Sequence, residues 1–166
     1  MTRKVFLSII LLLGAMLPNI NAGTSGPSRN ISELEYNITG AGIATQGHYL
    51  VKVEVSTKNK NLSDINLVKA AINGVLFRGF SNSGFGNSQK PLAGEPSNEV
   101  QHADFYKEFF GKTGTASNYG SVMDGTRNVI KSGKLYKVSA IVEVRKDALA
   151  SYLQEAKIIN SLNSIF

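Results

Sequence analysis

No cysteine occurs in the 166-residue chain. Disulfides, thiolate nucleophiles and zinc–thiolate sites are therefore excluded, and so is a lipid-modified cysteine. Histidine is nearly as scarce, with only His48 and His102. Neither belongs to an HExxH or similar ligand spacing. His102 and Asp104 stand two apart on an expected helix, about 200° around its axis, too far to act as a pair. The 18 basic residues outnumber the 12 acidic ones. They are scattered, and nucleic-acid binding ordinarily clusters them on one face. The densest spot, KNKN at 58–61, reads as a solvated turn.

Phosphate-cradling loops fail on spacing. Residues 78–94 read RGFSNSGFGNSQKPLAG, and Gly79 and Gly84 have P-loop separation. Phe85 then stands where lysine belongs and Gly86 where the hydroxyl belongs. The dinucleotide pattern fails too, because Gln89 follows Gly84 and Gly86 where a third glycine is required. Gly111-Lys112-Thr113 supplies the tripeptide elsewhere, but after a helix rather than opening one. A nucleophile elbow begins twice, at Gly79-Phe80-Ser81 and Gly86-Asn87-Ser88. Ser83 and Lys90 replace its closing glycine. Glu54 and Glu143 lie on the wet faces of two strands beside basic residues, the pattern of cross-strand ion pairs. No catalytic residue, cofactor or metal is expected.

What is present begins with MTRKVFLSIILLLGAMLPNINA. A basic start, an apolar run from Val5 to Leu17, Pro18 and a small residue at Ala22 form the layout of a secretory signal peptide. The run is short of the ~20 apolar residues that span a bilayer, so no transmembrane anchor is expected after cleavage. Cleavage after Ala22 leaves a chain of charge +4, with 16 basic and 12 acidic residues. Residues 23–32 read as a flexible segment rich in Gly and Ser. Residues 33–166 have the length of one domain with a real core. A cysteine-free exported domain points to a bacterial periplasm or cell surface. The Asn-x-Ser/Thr triplets at Asn30, Asn37 and Asn61 read as chance in an Asn- and Ser-rich chain.

Period-2 alternation marks the strands. LEYNITG buries Leu34, Tyr36 and Ile38; HYLVKVEVST buries Tyr49, Val51, Val53 and Val55. KLYKVSAIVEVRK buries Tyr136, Val138, Ala140, Val142 and Val144. A helix capped by Ser63 carries Ile65, Val68, Ala71, Ile72 and Val75 on one stripe and exits at Gly74. VLFRGF at 75–80 has the composition of a buried strand. A second helix spans about 98–110, with Gly111 at its left-handed C′ position. A third follows Asp147 as its cap, with Leu149, Leu153 and Ala156 on one face. Asp124-Gly125 predicts a hairpin turn. The class is α+β: a single mostly antiparallel sheet with about three helices packed on one face.

The runs GKLYKVSAIVEVRKDALASYLQEAKII, HYLVKVEVS, AAINGVLFRGF and HADFY resemble a family of uncharacterised exported bacterial proteins. More loosely, the strand-then-helix ending is similar to the N-terminal domain of flagellar assembly protein T and related small envelope lipoproteins. The lipid-accepting cysteine is missing here. The resemblance implies an envelope location and a non-catalytic role, and it transfers no site residue. The expected function is an accessory or binding component of the envelope, with an envelope protein or a second copy as partner. The alternative is a small-ligand binder or hydrolase using the loop at 78–94, with Arg78, Phe80 and Phe85 as its binding residues.

Overall fold

The structure, a computed structural model, describes residues 34–81 and 88–160. The signal peptide expected at 1–22, the segment 23–32 and Phe85 lie outside the described residues. The chain order is β1 (Glu35–Gly40), β2 (Tyr49–Thr57), α1 (Asp64–Phe77), β3 (Phe80–Ser81), β4 (Ser88–Gln89), α2 (Ser97–Gln101) and α3 (Ala103–Phe109). A 3-10 turn at Ala116–Tyr119 precedes β5 (Gly120–Val122), β6 (Asn128–Ser132), β7 (Leu135–Val144) and α4 (Lys146–Glu155). The fold is α+β, with a main antiparallel sheet ordered β1-β2-β7-β5, β6 also paired to β7, and a separate two-stranded antiparallel sheet of β3 and β4. Among the described residues no helix is long and apolar enough to cross a membrane.

The two long valine-rich strands form the centre of the sheet. Val51 faces Val142, Val53 faces Ala140 and Val55 faces Val138, all essentially inaccessible to water. Each fully buried valine contributes about 2 kcal/mol of transfer free energy. β-Branched side chains suit this pleated, one-sided surface. The opposite face carries Lys52, Glu54, Lys137 and Glu143.

Helix α1 lies across the buried face. Ser63 caps it by accepting from the Asn66 amide, and every residue from Leu67 to Leu76 is buried. Its far side is covered by chain as well: the amides of Leu92 and Ala93 donate to the Val75 and Leu76 carbonyls at 3.0 Å. Those carbonyls would otherwise end the helix unpaired.

Six expectations are corrected. The helix does not exit at Gly74 but runs to Phe77, and of VLFRGF only Phe80 is extended. Ile65 is 56% exposed, because α1 begins beyond the sheet's cover. The helix at 98–110 is two short helices broken at His102, whose φ of −114° and ψ of 31° leave the helical range. Asn98 ties α2 to the end of α4 through the Ile158 carbonyl, while α3 buries Tyr106 and Phe109, and the bend serves both demands. Gly111 is not left-handed; the Lys69 ammonium caps the carbonyls there instead. Asp147 occupies the first turn of α4 without capping it, and Ala156 is exposed.

The sixth correction concerns Asp124-Gly125. β5 pairs Val142–Val144 and β6 pairs Leu135–Ser139, both antiparallel and along the same edge of β7. Residues 123–127 are thus an outward bulge in one interrupted strand, not a hairpin. The Met123 amide reaches the Ile141 carbonyl at 2.9 Å, and the Thr126 hydroxyl accepts from the Ile141 amide at 3.1 Å. That hydroxyl replaces a strand carbonyl. The true reversal is the two-residue turn Gly133-Lys134, with Gly133 at φ +60°.

Candidate binding surface

The flanks of the 78–94 stretch are spent on structure. Gly79, the first glycine of the P-loop spacing, has φ +65°, and a Cβ there would collide with the Gln89 carbonyl. Its role is to let β3 and β4 cross the end of α1. Phe80 is 9% exposed and packs edge-on against Tyr49, ring centroids 5.2 Å apart. Arg78 sits with its guanidinium 4.0 Å from the Tyr36 ring centroid and donates to the Tyr36 carbonyl at 2.9 Å. Arg78 and Phe80 therefore do not converge on a shared pocket. Where the stretch returns, it forms one wall of an open groove of about 740 Å³. Lys90, Pro91, His102, Gln101, Lys157 and Ile159 are among its lining.

The buried polar groups are also internally engaged. Lys69 is 5% exposed and donates to the carbonyls of Phe110, at 3.1 Å, and Gly111, at 2.5 Å. Burial lowers its pKa. The Tyr36 hydroxyl donates to Asn73 Oδ1 at 2.5 Å, and burial pushes its phenol up to about 12 against the opposing pull of Arg78. Tyr106 donates to Asn98 Oδ1 at 2.7 Å, and burial again raises its pKa.

On the open face of the sheet, His48 Nδ1 lies 2.8 Å from Glu143 Oε1, and Lys137 donates to Glu54 at 3.1 Å. Glu143 stands opposite Leu50, four residues along β2 from Glu54. That is roughly 13 Å of strand. A glycosidase pair works at about 5–9.5 Å. These pairs are cross-strand and loop-to-strand anchors. Among the described residues no three His, Asp or Glu side chains are grouped to hold a metal ion.

The two edges of the sheet differ. At β1 the Ala41 amide bonds to the Leu50 carbonyl, so odd-numbered residues face β2 and Tyr36 directs its carbonyl outward. Arg78 occupies that carbonyl and guards the edge. At β6 the turn pair Ser132–Leu135 fixes the opposite phase: Asn128, Ile130 and Ser132 bond to β7, and Val129 and Lys131 direct their N–H and C=O groups to solvent. Every residue of β6 is exposed, including Val129 at 41% and Ile130 at 55%, and Met123 in the adjoining bulge is 41% exposed. Arg127 steadies the bulge from behind by donating to Asp64 Oδ1 and to the Leu62 carbonyl, both at 2.6 Å. Sequence reading missed this edge because Asp124-Gly125 suggested that Val129-Ile130 would pair inside a hairpin. The alternation of the preceding strands was the available signal that Val129-Ile130 does not continue.

No protein-family model matches this chain, and no curated protein or solved structure matches it.

Proposed function

We propose that this chain is an exported, non-catalytic binding domain of a bacterial envelope, periplasmic or at the cell surface. The observation that carries the reading is the β6 edge: main-chain groups with no partner among the described residues, flanked by exposed Val129, Ile130 and Met123. Soluble proteins usually blunt such an edge, and strand addition to an open one is a common mode of protein recognition. The commitment of Lys69, Tyr36, Arg78 and His48 to internal contacts supports a role without bond-making chemistry. The amino-terminal signal layout supports export. The test expresses the tagged full chain in a bacterium and crosslinks the envelope fraction. The expected result is a processed chain shortened at Ala22 and a protein partner lost on Lys131→Pro, which removes an outward N–H and leaves the β6–β7 ladder intact. Retention of the unprocessed chain in the cytoplasm, or crosslinking unaffected by Lys131→Pro, overturns it.

A second reading is favoured by the groove. Its lysines, Lys90 and Lys157, make no ion pair among the described residues, and Pro91, Leu92, Ile158 and Ile159 supply apolar surface. A small anionic molecule suits that lining, in which two lysines outnumber the one carboxylate, Glu95. Native mass spectrometry of the exported protein decides it: a bound small molecule lost on Lys157→Glu supports this reading, and a ligand-free protein sinks it.

A further inference from the structure

We propose that the occupant of the β6 edge is the β6 strand of a second copy of this chain, paired antiparallel about a two-fold axis through Ile130. The inference rests on the binding role proposed above and names the partner. Among the described residues β6 leaves the N–H and C=O groups of Val129 and Lys131 without a partner, so an incoming strand must align its own outward residues with these two. For two copies of NVIKS this leaves three central registers. Val129 opposite Val129 sets Lys131 against Arg127. Lys131 opposite Lys131 sets like charges face to face. Like charges directly opposite are destabilising. Val129 opposite Lys131 avoids both.

In that register each copy exchanges two N–H···O bonds with the other at each Val129–Lys131 pair. Ile130 meets Ile130 of the other copy at the intervening non-hydrogen-bonded position, where Cα atoms lie about 4.5 Å apart. Asn128 faces Ser132, and Arg127 faces Gly133, which has no side chain to obstruct it. The sheet then runs unbroken through both molecules, from the guarded β1 edge of one to the guarded β1 edge of the other. Closure about a two-fold axis leaves no free β6 edge, so the assembly stops at two. A contact of one short strand pair is small, and the dimer is weak and concentration-dependent.

The experiment uses the absence of native cysteine. Ile130→Cys, Val129→Cys and Lys131→Cys are made singly in the full exported chain and oxidised at high protein concentration. Ile130→Cys is expected to give a disulfide-linked dimer, since Cα atoms in that range accept the bond. Val129→Cys and Lys131→Cys each stay monomeric alone and crosslink when mixed. Sedimentation over about a hundredfold concentration range is expected to show a monomer–dimer equilibrium. Ile130→Lys shifts it to monomer, and unchanged circular dichroism shows that the fold of this exposed position survives. Dominant crosslinking of Val129→Cys or Lys131→Cys alone overturns the register. A protein that stays monomeric throughout overturns the second copy as occupant. If that monomer still loses an envelope partner on Lys131→Pro, the binding role stands and only the partner assignment falls.

Discussion

Arg78 stacks on the Tyr36 ring and bonds the same residue's backbone carbonyl, so one side chain holds both the face and the edge of β1. Replacing Arg78 by Ala removes the cation–π contact and uncaps the outer carbonyl. The expected loss is about 1–2 kcal/mol. Urea denaturation measures it, and an unchanged midpoint refutes the guarding role. Arg78→Ala should also lower solubility, since it opens the second edge to strand pairing.

Tyr36 gives the fold an alkaline limit. Its phenol is pushed up to about 12 by burial, so the folded state favours the neutral form. Stability from this group is intact below the ordinary tyrosine value near 10 and is lost as pH rises through 12. Two pH units correspond to at most about 2.7 kcal/mol. Tyr36→Phe is expected to flatten the decline between about pH 10 and pH 12 while lowering stability at neutral pH, because Asn73 loses its partner. Denaturation midpoints across that range provide the check; parallel pH slopes for both proteins refute it.

Lys69 is expected to resist substitution despite carrying a charge in the core. Lys69→Met keeps the stem but strands the carbonyls of Phe110 and Gly111. The expected cost is about 1–3 kcal/mol. Amide exchange should speed up first in residues 111–114, and uniform protection there counts against the capping role.

Lys157 is the one described non-glycine residue with positive φ, at 58°. It ends α4: the Lys157 amide bonds to the Gln154 carbonyl and the Ile158 amide to that of Leu153 at 2.8 Å, while Ile158 is buried. This is the Schellman geometry, which prefers glycine at the left-handed position. Lys157→Gly is expected to stabilise the protein by about 1 kcal/mol, whereas Lys157→Ala is not. A thermal melt that falls on Lys157→Gly contradicts this.

Gly74 lets α1 pack directly on Ile38 of β1. A Cβ there would lie 2.6 Å from Ile38 Cδ1. Gly74→Ala is expected to destabilise by about 1–3 kcal/mol, and Ile38→Val, which removes that Cδ1, to recover part of the loss. Strict additivity of the two changes rules out the clash.

The central strands were readable because a half-buried ribbon of Tyr49, Val51, Val53 and Val55 admits only one face inward. The amphipathic start of α1 was readable through Ser63 and Asp64 for the same local reason. Its last turn was not. Residues 75–77 are helical because the amides of Leu92 and Ala93, far along the chain, donate to its last carbonyls. The break at His102 and the capping by Lys69 also depend on distant groups, Ile158 and Phe110. Asp124-Gly125 does make a turn, with the Thr126 amide 3.3 Å from the Met123 carbonyl. No local rule says whether such a turn reverses a strand or only interrupts it. Since β6 was misplaced with it, the open edge could not be seen in advance.

The five residues of the 123–127 bulge lie between two strand segments that are each registered independently, β5 by its ladder and β6 by the turn at Gly133. Length can therefore change between Asp124 and Gly125 without sliding either segment. A short epitope or fluorophore-labelling sequence grafted there would report from beside the β6 edge while the sheet keeps its alignment, which makes this position the natural one for following the protein in living cells.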